Sequence, residues 1–256
     1  MSNDTSSCSL PPVQTAPVSE PAPFLTPDAS LSGEMDLVGS VRVPGEGGKL
    51  SLFKRGEEFS LRVHGTELMN SRVHESEDAL ARLAASKLAG IASPVFLIGG
   101  LGMGYTLAAA LKGLDAGAKV VVAELVSQVV AWNRGPLGHL AGHPLDDPRV
   151  ALRETDVAKI LQTEQEAYHA ILLDVDNGPE GVVQDSNDWL YTEDGLWAAF
   201  TALRPGGLLA VWSAGPDRAF LMRLRKIGFE TEEVRIRVQA PGCGSRDTIW
   251  LAKRPA

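Results

Sequence analysis

Val95-Phe-Leu-Ile-Gly-Gly-Leu-Gly-Met-Gly-Tyr-Thr106 decides how this chain is read. A short apolar run ends in Gly99, Gly100, Gly102 and Gly104, and an alanine- and leucine-rich segment follows. The order is therefore strand, tight turn, helix. Glycine has no Cβ and tolerates positive φ, so such a turn lets backbone come close to a ligand, while the helix start offers free N–H groups. Taken alone, the turn fits a tight crossover as well as a nucleotide site. Twenty positions after Gly104, at the end of the next apolar run, Lys119-Val-Val-Val-Ala-Glu-Leu125, stands Glu124. An acid there can accept hydrogen bonds from a ribose diol, as in dinucleotide-binding folds. Turn and acid together point to an adenosine-containing ligand.

Working outward, strand and helix patterns alternate: strands at 95–98, 119–125, 149–152, 170–175 and 208–213, with helices at 104–113, 126–134, 156–162, 193–203 and 216–227. Alternation of this kind predicts a parallel sheet with helices on both faces. The last two runs, 231–238 and 247–252, have only a glycine-containing loop between them and should pair antiparallel, because parallel strands need a long crossover. The expected fold is α/β and Rossmann-like, a mostly parallel seven-stranded sheet over residues 76–256. Ahead of it Leu37, Val41, Val43, Leu50, Leu52, Phe53, Phe59, Leu61 and Val63 form short runs split by Gly45-Glu-Gly-Gly48 and Arg55-Gly-Glu-Glu58. These are hairpin signals, which predict a small antiparallel β segment over 34–75. Between the two, Ser76 is expected to cap a helix whose first turn holds Glu77 and Asp78. Residues 1–33 are rich in Ser, Thr and Pro and cannot bury enough surface to offset ordering entropy.

Composition narrows the function. With 256 residues, 44% hydrophobic and 22% charged, the chain reads as a soluble globular protein. A formal charge of -8 argues against a nucleic-acid surface, and the basic group Arg223, Arg225 and Lys226 is soon balanced by Glu230, Glu232 and Glu233. Cys8 and Cys243 make no disulfide framework and fit a reducing compartment. No apolar run approaches the roughly 18 residues of a membrane span, and no basic-then-apolar leader pattern is seen. A cytoplasmic location is expected.

In an open α/β sheet the ligand lies beyond the carboxyl ends of the strands. That edge receives the glycine turn, Glu124, Asp156 after the third strand and Asp174-Val-Asp-Asn-Gly-Pro179 after the fourth. Asp156 can accept from an adenine amino group or cap the helix that begins at Val157. Asp174 and Asp176 follow the apolar strand Ile171-Leu-Leu173 and suit either a reaction centre or a solvated Asx turn.

The stretch from about 60 to 252 resembles the spermidine synthase-like proteins, which share the class I AdoMet-dependent methyltransferase fold. The resemblance rests on Val73-His74-Glu75, the turn Gly99-Gly-Leu-Gly-Met-Gly104, Glu124, Asp147-Pro-Arg-Val150, Thr155-Asp156, the Asp174 loop, Leu190-Tyr-Thr-Glu193 and Leu203-Arg-Pro-Gly-Gly-Leu208. It implies that Gly99, Gly100, Gly102 and Gly104 cradle the methionine part of AdoMet or decarboxylated AdoMet, that Glu124 holds the ribose and Asp156 the adenine. It also implies that Asp174 takes a proton from an attacking amine, and that a dimer is one assembly of the fold. His74, Glu75 and Asp176 are candidates for orienting a cationic acceptor, and Asp185, Asp188, Trp189 and Tyr191 for a lid over it; each has a rival reading in capping or packing.

The sequence also departs from that family's pattern. The glycine turn carries Leu101 and Met103 where the family has an acid that pairs with the amine of decarboxylated AdoMet. Asn177 stands where it has a second acid, and Leu68-Met-Asn-Ser-Arg-Val73 replaces the Gln and Tyr of its polyamine groove. The activity implied is alkylation of a small amine-bearing acceptor, aminopropyl transfer ahead of methyl transfer, with a methyltransferase for a small metabolite and a noncatalytic nucleotide-binding protein as alternatives. No metal is expected: His139 and His143 are four apart but lie among Gly138, Gly142 and Pro144 with no third ligand. Trp212-Ser213 lacks a nucleophile-elbow pattern.

Overall fold

The computed structural model describes residues 35–45, 48–175, 188–237 and 246–256. Strands β1 (Asp36–Arg42), β2 (Lys49–Arg55), β3 (Glu58–Val63) and β4 (Thr66–Asn70) form an antiparallel sheet in that order. The central sheet contains β5 (Val95–Gly99), β6 (Lys119–Ala123), β7 (Val150–Arg153), β8 (Tyr168–Leu173), β9 (Leu203–Ser213), β10 (Glu230–Arg237) and β11 (Arg246–Lys253). Their spatial order is β10-β11-β9-β8-β5-β6-β7. Strands β5 to β9 run parallel, whereas β11 is antiparallel to both its neighbours. This is the α/β, Rossmann-like arrangement with a reversed final strand that the alternation predicts.

The helices are α1 (Glu75–Lys87), α2 (Tyr105–Gly113), α3 (Ser127–Arg134), α4 (Val157–Thr163), α5 (Asp188–Tyr191), α6 (Glu193–Ala202) and α7 (Arg218–Ile227). Because side chains alternate across a strand, each central strand feeds two cores. Phe96, Ile98, Val120, Val122, Ala170, Leu172, Leu208 and Ala210 meet α1, α2 and α3 on one face. Leu97, Val121, Ile171, Leu173, Leu209 and Val211 meet α4, α6 and α7 on the other. The antiparallel sheet turns Leu50, Leu52, Phe59, Leu61 and Val63 into the first core. It is thereby welded to the face that carries the glycine turn.

Helix ends follow ordinary chemistry with one correction. Asp156, Thr192 and Asp217 cap α4, α6 and α7 by accepting from Ala158 N, Gly195 N and Phe220 N, and Gly228 closes α7 at φ 110°. Ser76 does not cap α1. The helix starts two residues earlier, at Glu75, His74 takes the cap position without a side-chain bond, and the Ser76 hydroxyl donates to Glu77 Oε2 at 2.7 Å. The sheet also runs further than expected at β9, whose Leu203 pairs with Tyr168 of β8. His139 lies in a short 3-10 turn rather than a loop, and His143 takes φ 57°. No group of three or more His, Cys, Asp or Glu positioned for a metal occurs among the described residues, and among them no helix is long and apolar enough to cross a membrane.

Candidate active site

Parallel pairing brings the ends of β5, β6 and β8 side by side. Gly100 N donates to Ala123 O at 2.9 Å, and Asp174 N donates to Gly99 O at 3.1 Å. The chain between β5 and α2 then turns through Gly100, Gly102 and Gly104 at φ 89°, 52° and 86°, the left-handed region that favours glycine. The buried Asn133 of α3 secures this turn, its amide donating to Gly102 O at 2.8 Å and Val129 O at 3.0 Å. Glu124 reaches in from the end of β6. Its carboxylate accepts from Leu101 N at 2.9 Å and Val126 N at 2.8 Å.

A solvent-open cleft lies along this edge. It is lined by Gly100, Gly102, Glu124, Thr155, Asp156, Asp174 and Val175. Strands β2, β3 and β4 add an apolar wall of Leu50, Leu61, Val63, Leu68 and Met69, with Val43 just past β1. The backbone is cut to this shape. A Cβ on Gly100 would sit 2.5 Å from Asp174 O, and one on Gly102 would sit 3.0 Å from Met69 Sδ.

Gly100→Ala therefore combines strain at positive φ with a backbone collision. It is expected to destabilise the fold by about 2 kcal/mol or more and to displace Asp174. Gly56→Ala, also at positive φ but with nothing within 4 Å, should show the strain alone, about 1 kcal/mol. Urea unfolding of both variants checks this, and equal losses would contradict the close-approach argument.

Asp174 accepts from Thr106 Oγ1 at 2.5 Å, and burial pushes its carboxyl above the usual range against the pull of that bond. Glu77, in the first turn of α1, also lines the cleft. Its burial, and then the charge of Asp174, push it up from 4.5 to about 8, with the Ser76 hydroxyl opposing. Asp247 at the start of β11 is raised by burial as well, with Ser76 and Trp212 opposing. Two carboxyl groups that press on one another cannot both ionise cheaply, so Glu77 keeps its proton to higher pH than a free carboxyl.

The sequence candidates thus separate. Gly100, Gly102, Glu124, Asp156 and Asp174 line one cleft. Gly99 and Gly104 shape it from behind, Gly99 against Val157 and Leu173, Gly104 against Asn133 and Pro144. Asp156 makes the helix cap and lines the cleft at once, so its two readings are compatible. His74 stacks on Tyr105 at 4.1 Å between centroids and hydrogen-bonds Asp78 at 3.1 Å; Glu75 is exposed, and neither lines the cleft. Tyr191 is 3% exposed, packs edge-on against Phe220 and donates to Val175 O. Trp189 packs on the second core and Asp188 is exposed. Both side chains contribute to the second core, Tyr191 fully and Trp189 in part. Asp176, Asn177 and Asp185 lie outside the described residues. Glu77 and the apolar wall were not singled out from sequence, because a first-turn acid and a hairpin's inner face both have sufficient local explanations.

No protein-family model matches the chain, and no curated protein matches it in sequence. Solved structures match it in fold. The spermidine synthase of Thermotoga maritima superposes with a TM-score of 0.67 at 18% identity, over 84% of this chain and 72% of that one. A spermidine synthase in complex with the transition-state analogue AdoDATO gives 0.68 at 19% identity, over 84% and 73%. The Burkholderia thailandensis 1,6-didemethyltoxoflavin-N1-methyltransferase, with 1,6-didemethyltoxoflavin and S-adenosylhomocysteine bound, gives 0.50 at 17% identity, over 71% and 79%. At these identities the likeness is one of fold.

Proposed function

We propose that this protein is a transferase that takes an alkyl group from decarboxylated AdoMet or AdoMet and places it on a small amine-bearing acceptor. One observation carries the reading: a single cleft is lined by the glycine turn, Glu124 and Asp156 on one side and by Asp174 beside it. The residues fit a sulfonium nucleoside. Gly100 and Gly102 bring bare backbone to the cleft at positive φ, Glu124 suits a ribose diol and Asp156 an adenine amino group. Such a group supplies an electrophilic carbon and a thioether that leaves with the C–S bonding pair.

The chain's own contribution is positioning and proton removal. An amine with a solution pKa of about 10.4 must lose a proton before its lone pair can form the N–C bond. Asp174 receives that proton on Oδ1 or Oδ2, and Thr106 Oγ1 keeps the carboxylate oriented. Holding acceptor and nucleoside in line within the cleft lowers the barrier most.

Aminopropyl transfer leads because the spermidine synthases superpose over 84% of this chain against 71% for the methyltransferase, a difference about the size of the antiparallel sheet. Methyl transfer remains the second reading on a specific observation. Leu101 and Met103 of the turn are 5% and 0% exposed, so the turn presents no acid to a free cofactor amine. Incubation with each nucleoside and a panel of amines decides between them. Release of methylthioadenosine supports aminopropyl transfer, release of S-adenosylhomocysteine supports methyl transfer, and release of neither contradicts a transferase.

A further inference from the structure

The antiparallel sheet touches the glycine turn through Met69 of β4. A Cβ on Gly102 would sit 3.0 Å from Met69 Sδ and 3.1 Å from Met69 Cε. Non-bonded heavy atoms in contact rest about 3.5–4.0 Å apart. The thioether therefore already occupies the layer in which a ligand would touch this face of the turn. Both residues line the cleft.

The backbone that carries Met69 is held from several sides. Met69 pairs with Leu61 and Asn70 with Ser60 across β3. Ser71 N donates to Phe59 O at 2.9 Å, and Phe59 N donates to Ser71 Oγ at 2.9 Å. Tyr105, the buried first residue of α2, donates its hydroxyl to Ser71 O at 3.3 Å. The end of β4 is thus tied both to its own sheet and to the helix that follows the turn. The Met69 side chain is differently placed: it is half-buried and borders a solvent-open cleft. Methionine is unbranched and has three rotatable bonds, so this side chain can turn aside while the strand stays.

Resting on the transferase reading above, we infer that Met69 is a movable cover on the glycine turn, displaced by nucleosides whose 5′ substituent runs along the turn and left in place by those without one. On that reading the ribose lies at Glu124, which accepts from Leu101 N, and a chain leaving the 5′ carbon follows the turn onto the Gly102 face. Affinity for a long-chain nucleoside is lowered by the packing that Met69 gives up, and affinity for a short one is not. Met69 is thereby a specificity-determining residue for the nucleoside's chain.

Binding of adenosine, methylthioadenosine and S-adenosylhomocysteine to the full chain and to its Met69→Ala variant tests this. The variant should bind S-adenosylhomocysteine about tenfold tighter than the unaltered chain does, and adenosine within about twofold of it, since the packing of a partly buried methionine is what changes. Methylthioadenosine, with a single methyl on sulfur, should fall between. Equal gains for adenosine and S-adenosylhomocysteine, or no gain for either, overturn the inference. Weaker binding of S-adenosylhomocysteine overturns it too, because Met69 would then be a wall on which the chain rests. Where the variant fails to fold, the unaltered chain labelled with carbon-13 at its methionine methyl groups decides. S-adenosylhomocysteine should move the Met69 methyl resonance, identified with Met69→Leu, further than adenosine does, and equal displacements overturn the cover. The two readings fail separately: nucleosides that bind without distinguishing the variant remove the cover and leave the transferase reading, whereas binding of none of them by either protein removes both.

Discussion

Asp174→Asn is expected to lower turnover by about 10²- to 10⁴-fold, the usual contribution of a positioned base, while nucleoside affinity changes by less than about threefold. Asparagine is close in size and can still accept from Thr106 Oγ1, now 2.5 Å from the carboxylate, so the floor of the cleft should persist. What disappears is the site that takes the amine's proton. The nucleoside contacts proposed for Gly100, Gly102, Glu124 and Asp156 do not pass through this side chain. Loss of the Asp174 charge also removes one of the causes that raise Glu77, leaving burial as the main one. Single-turnover rates with saturating nucleoside, beside nucleoside binding by calorimetry, separate the two effects. Unchanged turnover would remove Asp174 as the base, and lost nucleoside affinity would assign it to binding instead.

Glu77→Gln is expected to flatten the dependence of stability on pH. In the unfolded chain this group gives up its proton near 4.5, and in the folded chain near 8. Between those values the native state holds a proton that the unfolded state does not. The contribution of Glu77 to stability is therefore fully present below about 4.5 and is lost as pH rises towards 8. One retained proton gives a slope of up to about 1.4 kcal/mol per pH unit, so the variant should gain on the order of a few kcal/mol over the wild type by pH 8. Asp174 and Asp247 are also raised. They act with the same sign, so the slope should shrink rather than vanish. Asp147 acts oppositely, because the Arg149 guanidinium beside it lowers it to about 2, but its window lies well below the range in question. Urea unfolding between pH 5 and 9 reads the difference, and parallel curves for the two proteins would contradict a buried proton at Glu77.

The parts of the structure that were legible in the sequence are those whose cause is local. Alternation in Phe96-Leu97-Ile98 or Val120-Val121-Val122 is a two-face pattern wherever it occurs, and the structure sends the alternate residues to opposite cores. Gly100, Gly102 and Gly104 announce backbone freedom, and each adopts positive φ. Glu124 was legible because a fixed distance along a strand–helix–strand unit places it beside the turn. What stayed hidden depends on tertiary packing. Glu77 looks like a dipole-favoured acid at a helix start until α1 is seen to bury it in the lining of the cleft that also holds Asp174. Leu61 and Val63 look like hairpin core until the antiparallel sheet closes over the cleft. Ser76 has the composition of a cap, yet the helix begins before it and its hydroxyl serves Glu77. Aromatic residues near a candidate site are read as lid or packing from sequence alike, and burial of Tyr191 against Phe220 decides for packing.

On the reading proposed above, the glycine turn, Glu124 and Asp156 bind a sulfonium nucleoside. Thermal unfolding of the full chain with AdoMet, decarboxylated AdoMet or methylthioadenosine tests it most directly. A ligand at a hundred times its dissociation constant adds about 2.7 kcal/mol, which for a domain of this size raises the midpoint by roughly 5 to 10 °C. At least one of the three should produce that shift in the wild type, and Gly102→Val, which sets a side chain against Met69, should abolish it. An unmoved midpoint with all three at millimolar concentration would contradict the account.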